Sequence, residues 1–318
     1  MGATGRDLHV NVPLSNIAIA YTPYGMIADK IAPILPVGKQ SDSYNIWSIA
    51  DAYRIEEDKR APATEANVIG RSVSSDTYFA KNYALKDKIP YEDIKNADAA
   101  FIMTERGERV KYIKNKLYLN WEYRVAMLCT STSNIGSSSA VASDWSDEAT
   151  GHSDPIGDLT TAMLNIEGVT GYMPNRAIFG RVAWKHFRNH ADVITRLYGN
   201  QTGSNGRIIS LDQAANLLEL DQVLVGRAKY NSAGEGQTAT LSNIWGANVL
   251  LYYAPMNPSK EEPSFMYSFR WPVVTDMQAA VYQLERSKAE EVELGYYQDE
   301  KITAKTLGFL ITDVASSV

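Results

Sequence analysis

Asn96–Cys129, NADAAFIMTERGERVKYIKNKLYLNWEYRVAMLC, reads as one long helix from about residue 97 to 129, and the other segments are placed by it. Val110, Ile113, Leu117, Trp121, Val125 and Leu128 recur at steps of three and four, so they share one face, and that face must be buried. The opposite side carries Glu105, Arg106, Glu108, Arg109, Lys111, Lys114 and Lys116, with Glu105 and Arg109 at the i,i+4 spacing that favours a helix. Gly107 interrupts the pattern, but a single interior glycine costs only about 1 kcal/mol. At about 1.5 Å per residue the helix exceeds roughly 40 Å, a spine for smaller units to pack against.

The rest of the 318-residue chain is long enough for a large core, ordinarily in two domains. With 45% hydrophobic and 21% charged residues it has the composition of a water-soluble globular protein. A net charge of −6 argues against a protein built mainly to grip nucleic acid. Cys129 is the only cysteine, so an internal disulfide and a thiolate zinc cluster are excluded and a reducing cytosol is the natural setting. MGATGRDLHV has no secretory pattern, Arg6 occupies the Ser/Thr position of a myristoylation signal, and no run of about 18 apolar residues calls for a membrane span. The Asn200 sequon has no use without export.

Residues 1–39 are apolar but broken by Pro13, Pro23, Pro33 and Pro36, which predicts an irregular arm lying across this subunit's core or a neighbour's. In 40–90, the alternation of Phe79, Tyr83, Leu85 and Ile89 reads as a strand, with Tyr44/Ile46 and Tyr53/Ile55 as its partner. Between them lie Arg54, Glu56, Glu57, Lys59, Arg60, Glu65 and Arg71, in a segment with too little apolar area for its own core. A two-stranded excursion of this kind is marginal alone, so it is expected to project and to be held by another chain. Ser131–Ser146 reads as a loop and boundary, and Asp154-Pro155 as a helix start whose face includes Leu159, Met163, Leu164 and Ile166. Strands at 176–180, 222–227, 247–254 and 265–271 alternate with helices at 181–197 and 211–220, a mixed α/β unit. Val292, Leu294 and Tyr296, then Leu307, Phe309 and Ile311, read as a hairpin along the spine with its turn at 298–301.

No assembled chemical site is legible in the sequence. His186 and His190 have metal-site spacing, but Phe187 stands where a metallopeptidase needs glutamate and no third ligand is signposted, so they read as surface histidines. His9 and His152 are the other histidines available as bases. The glycine-rich run 199–206 lacks the Gly-Lys-Ser/Thr of a phosphate cradle, and 231–240 is a similar loop. Among Glu285, Glu290, Glu291 and Glu293, the last pair fall on the polar side of a strand, for solvent or a basic partner. Cys129 reads as core. Within 105–124 six bases face three acids, a local +3. That face meets solvent by default, and weak contact with DNA through Arg106, Arg109, Lys111 and Lys114 is the alternative.

IADKIAPILPVGKQSDSY (27–44), RAPATEA (60–66), YFAKNYALKDKIPYEDIKNAD (78–98), the helix that follows and MPNRAIFGRVAWKHFRNHADVITRL (173–197) together resemble the major capsid proteins of tailed double-stranded DNA bacteriophages, the Hong Kong 97-like fold. The resemblance implies an α+β chain: N-arm 1–39, extended E-loop hairpin 40–90, P domain 91–158 with the spine helix and antiparallel strands, mixed α/β A domain 159–272, and P-domain return strands 273–318. It implies a virion protein without enzymatic activity, cofactor or metal, assembled in the bacterial host cytoplasm into hexamers and pentamers. Its partners would be other copies, a portal, a separate scaffolding protein or none, a decoration protein, and packaged DNA held non-specifically. Arg54, Glu56, Glu57, Lys59, Arg60, Glu65 and Arg71 would then be subunit contacts, while the N-arm buries apolar side chains on a neighbour. No motif marks Lys59, Lys81, Lys86 or Lys88 for covalent cross-linking. An encapsulin-like nanocompartment shell is the alternative within the fold, and a soluble hydrolase using Glu291 or His186 is the alternative outside it.

Overall fold

A computed structural model describes residues 12–20, 25–47, 49–96, 99–149, 151–199, 208–259, 262–272 and 276–315. His9, Asn200 and nearly all of the glycine-rich run lie outside these. In chain order the elements are α1 (Val12–Ala20), α2 (Ala28–Ile31), β1 (Ile34–Pro36), β2 (Ser41–Trp47), α3 (Ile49–Ala52), β3 (Val73–Phe79), β4 (Lys81–Pro90), α4 (Tyr91–Asn96), α5 (Ala99–Cys129), β5 (Ser137–Ala140), α6 (Pro155–Thr170), β6 (Arg176–Gly180), α7 (Arg181–Asn189), α8 (Ala191–Tyr198), α9 (Leu211–Leu217), β7 (Gln222–Gly226), β8 (Lys229–Asn231), β9 (Leu241–Asn243), β10 (Val249–Tyr252), β11 (Met266–Arg270), β12 (Asp276–Leu284), β13 (Ala289–Ile302) and β14 (Gly308–Thr312).

The spine helix is α5, and its two halves serve two different cores. Val110, Ile113 and Leu117 pack with Leu14 and Ala18 of α1 onto Ile89, Val292, Leu294 and Tyr296 of the first sheet. In that sheet β13 is the centre: it pairs with β4 and β12 through its first part and with β11 through its last, and β1 adds in parallel to β11. Further along, Trp121, Val125, Ala126 and Cys129 pack on α2 and on Ile178, Leu224, Leu250 and Leu310 of the second sheet, ordered β5-β14-β10-β6-β7. The alternate residues of those strands, Ala177, Phe179, Val223, Val225, Val249, Leu251, Phe309 and Ile311, face the opposite way into a core with α6 to α9 and Trp145. Both faces being covered is why these strands read as unbroken apolar runs. Gly107 has a packing reason: a Cβ there would come within 3.2 Å of Ile17 Cδ1, so α1 lies close against the helix at that point.

Four expectations are corrected. The N-terminal arm is ordered on its own chain from residue 12 to 20 and from 25 to 37, with Leu14, Ala18, Ile27, Ile31, Leu35 and Val37 buried. Its prolines fall where helices and edges tolerate them, Pro13 in the first turn of α1, Pro33 after α2 and Pro36 in an edge strand. The partner of β2 is β3, whereas β4 leaves the ribbon and pairs with β13, so Tyr53 and Ile55 belong to no strand. Buried Ala80 sits between β3 and β4, and Tyr78 rather than Phe79 turns inward. The helix expected over 181–197 breaks at His190, whose extended backbone starts α8. Finally, β13 runs through the expected turn at 298–301, and β14 joins the second sheet beside β10 and β5. The polar residues that mimic a turn are held singly: Gln298 accepts from Arg270, Asp299 from the Phe79 amide, and Glu300 pairs with Arg124 at 2.7 Å.

Gly308 opens β14 where a Cβ would stand 2.4 Å from the fully buried Phe265 ring. Gly308→Ala is therefore expected to cost about 1–3 kcal/mol by overpacking, read as a lower urea midpoint at unchanged slope.

Candidate assembly surface

The β2–β3 ribbon is fixed firmly at its root. Tyr44 and Tyr78 stack on Phe269 with centroids 5.4 and 4.6 Å away, and Leu35, Val37 and Tyr267 complete the cluster. Lys301 Nζ lies 2.7 Å from Asp76, which also accepts from the Tyr44 hydroxyl at 3.0 Å. The hydrogen bond from Lys301 holds the Asp76 carboxyl below its ordinary range, and burial raises that of Tyr44.

Beyond the root the chain loses all cover. Every residue from 52 to 75 is exposed, and from 53 to 72 none is in a helix or strand. Ile55 and Val68 are each 98% exposed and Ile69 is 72% exposed. Such isoleucines and valines ordinarily fill cores, and here three of them stand exposed on one loop. The seven charged residues named from the sequence all lie here. Arg54 reaches Asp51 and Glu56 only at 3.7 and 3.9 Å, and Glu57, Lys59, Arg60 and Glu65 form no ion pair among the described residues. Where the ribbon passes α6, Tyr53 lies so close over Gly171 that no Cβ fits there, and Gly171 caps the helix at φ 73°.

The basic spine face is mostly committed inside the chain, rather than solvated as the default reading had it or open to DNA as the alternative had it. Arg106 Nε donates to Glu290 at 3.0 Å, Arg109 donates to Asp87 at 2.8 Å, and buried Lys114 donates to the Ala18 carbonyl. Of the four residues named, Lys111 is the one left exposed. The acidic residues behave likewise: Glu291 is clasped by Lys86 and Lys88 at 3.1 and 3.3 Å, and the Lys86 hydrogen bond lowers its pKa.

Glu122 is a site that reading the sequence missed, since it counted only as one acid on a basic face. Fully buried, its Oε2 accepts from the amides of Ile27 and Ala28 at 2.9 and 2.7 Å, and its Oε1 from the Trp245 indole at 2.6 Å. One carboxylate thus ties the N-terminal segment, the spine and the β9–β10 connection together. Burial pushes its pKa up to about 6 although all three hydrogen bonds favour the charged form.

His186 and His190 are not at the surface as expected, whereas His152 is exposed and pairs with Asp147 at 2.7 Å. His186 is buried against Glu148 at 2.9 Å, and His190 Nε2 lies 2.9 Å from Ser153 Oγ with Asp192 Oδ2 3.9 Å from Nδ1. That order resembles a hydrolase triad, but the protons run the other way. Nδ1 accepts the Asp192 amide at 3.2 Å and caps α8, so Nε2 carries the hydrogen and donates to the serine, which donates to the Asp147 carbonyl at 3.2 Å. A ring so placed has no lone pair for the serine proton. Cys129 is fully buried beside Met266, and burial pushes its thiol up. Among the described residues no group of three candidate ligands converges on a metal position, and no helix is long and apolar enough to cross a membrane.

Comparison with known proteins gives a consistent picture. Residues 121–241 match the family model for phage major capsid protein E. The major capsid protein of Pseudomonas phage JBD67 is 25% identical over 313 residues, covering 97% of this chain and 98% of that one. Among solved structures, a phage-related protein from Bordetella bronchiseptica superposes with a TM-score of 0.74 at 22% identity, over 97% of this chain and 98% of that one. The capsid structure of cyanophage P-SCSP1u gives a TM-score of 0.59 at 9% identity, over 94% and 90%. The resemblance to phage major capsid proteins read from the sequence is borne out, and the mixed α/β fold is shared with solved phage capsid structures.

Proposed function

We infer that this chain is a phage major capsid protein, whose copies close into an icosahedral shell of hexamers and pentamers around packaged double-stranded DNA. The observation that carries this reading is the uncovered stretch 52–75, which no part of its own chain buries. Symmetric assembly supplies the missing cover, because each copy offers its ribbon to a neighbour and receives one in turn. Ile55, Val68 and Ile69 contribute roughly 1.5–3 kcal/mol each on burial, and the charges around them fix register and exclude misdocking.

In this reading residues 40–80 are the E-loop, shorter than the expected 40–90 because β4 belongs to the first sheet; the spine and first sheet are the P domain, and the second sheet with α6 to α9 is the A domain. Of the two placements expected for the N-arm, residues 12–20 and 25–37 support the one on its own subunit, so the interlock rests on the ribbon. The protein's work is structural, its location the virion, its assembly site the host cytoplasm, and portal, scaffolding and decoration proteins are its expected partners.

Expression of the chain followed by negative-stain microscopy tests the reading: closed particles are expected, and a solitary subunit at tens of micromolar, with or without neighbouring gene products, overturns it. Nuclease-protected DNA in particles from infected cells is expected; a protein cargo in its place means a nanocompartment. A cheaper readout uses trypsin. Lys59 and Arg60 are exposed in a segment without secondary structure, so free subunits are expected to be nicked there first, and assembled ones to resist at least 10-fold longer.

A further inference from the structure

Three of the four histidines gather at one stretch of chain, the β5–α6 connection that ends at Asp154. The Glu148 carbonyl accepts the Ala191 amide at 3.0 Å and the Glu148 carboxylate pairs with His186, so the connection is pinned there to α7 and α8. Its next attachment to α8 is a side chain. Asp192 Oδ2 accepts the Gly151 amide at 2.9 Å, and that same oxygen stands 3.9 Å from His190 Nδ1, just outside hydrogen-bond reach. One carboxylate oxygen thus has two alternative partners. With the ring neutral, Nδ1 is an acceptor that takes the Asp192 amide at 3.2 Å and repels the carboxylate. Protonated, Nδ1 carries a hydrogen of its own, cannot accept that amide, and draws the nearby carboxylate in by opposite charge. We propose that Asp192 is a proton-operated clasp, which holds the turn at Gly151 while His190 is neutral and releases it when His190 is charged.

The groups around the ring set the direction. Asp147 and Glu148 face it from the connection, Asp154 from the start of α6 and Asp192 from α8, while His152 and His186 are engaged with Asp147 and Glu148. These carboxylates favour the charged ring, but the ring is fully buried and burial outweighs them, so its pKa lies below the ordinary histidine value. The clasp is therefore shut at neutral pH. The stability that the neutral ring contributes is present above the ordinary histidine pKa of about 6.5 and is lost as pH falls below it. The release stays local, because the Ala191–Glu148 main-chain bond has no proton to gain, acid charges His186 beside Glu148, and Trp145 is anchored in the core.

Hydrogen exchange at individual amides of the full chain, corrected for the intrinsic pH dependence of exchange, tests the clasp. Between about pH 7.5 and about pH 5, protection of the Gly151 amide is expected to fall about 5-fold or more, while that of the Ala191 amide changes less than about 2-fold. Two variants remove the response in different ways. His190→Asn caps α8 with a side-chain oxygen that does not titrate, and Asp192→Asn keeps an acceptor for the Gly151 amide without the charge that follows the proton. Protection at Gly151 is expected to be independent of pH in both. Unchanged protection in the parent overturns the proposal, as does an equal fall in either folded variant. A parallel loss at Ala191 overturns it too, because the opening is then general. Should one variant fail to fold, the other decides, and should both fail, the contrast between Gly151 and Ala191 in the parent decides.

Discussion

Val68→Asp with Ile69→Asp is expected to leave the subunit folded and to abolish closed particles. Folding is spared because these side chains are 98% and 72% exposed in the subunit and touch neither core, so the thermal midpoint should stay within about 2 °C of the parent. Assembly is lost for the opposite reason. Burying two branched aliphatic side chains supplies roughly 3–6 kcal/mol per contact, and an aspartate buried in their place adds a desolvation cost. A change of that size shifts each contact equilibrium by about 10²–10⁴-fold, and a ring of subunits repeats it at every interface. Circular dichroism with gel filtration separates the two effects. A folded variant that still forms particles at parental yield would remove the ribbon from the interlock. Charge reversal at Arg60 or Glu65 acts at exposed positions, where an ion pair contributes up to about 1 kcal/mol, so several-fold weaker assembly is expected.

What the sequence revealed followed from how local each signal is. The spine was legible because its 3.6-residue period runs for 31 residues, and the second sheet because strands covered on both faces show as dense apolar runs. The projecting ribbon was legible as a deficit, charge and turn residues without area to bury. Pairing across long separations was not legible. Gln298–Lys301 has turn composition, and only the partners Arg270, Phe79 and Arg124 explain why it is a strand. The arm misled for a related reason, since its prolines mark breaks but not what lies between them, and Leu14 and Ile31 share clusters with residues such as Ile89 and Trp121, 75 and 90 residues downstream. Glu122 left no trace: a helical glutamate on a basic face reads as solvated, and its three donors come from 94, 95 and 123 residues away.

Glu122→Ala is expected to be the most destabilising single change outside the apolar cores. It leaves the Trp245 indole and the Ile27 and Ala28 amides buried without an acceptor, at about 1–3 kcal/mol each when unrelieved, so a loss of roughly 3–5 kcal/mol is expected. The same carboxylate gives a pH signature with a definite sign. Its pKa is about 6 in the folded chain against an ordinary 4.5, so the folded state holds the proton more tightly. This group's contribution is therefore greatest below pH 4.5, declines by about 2 kcal/mol as pH rises to 6, and is flat above. Asp76 and Glu291, whose pKa values are lowered, slope the other way at lower pH, so the difference between Glu122→Gln and parent is the quantity to measure. Glutamine keeps an acceptor for the two amides but turns an NH₂ toward the indole. Urea midpoints from pH 4.5 to 7 should show the variant's deficit shrinking as pH rises, because only the parent loses stability over that range. A deficit that grows with pH would mean that the three N–H donors outweigh burial and hold Glu122 ionised throughout.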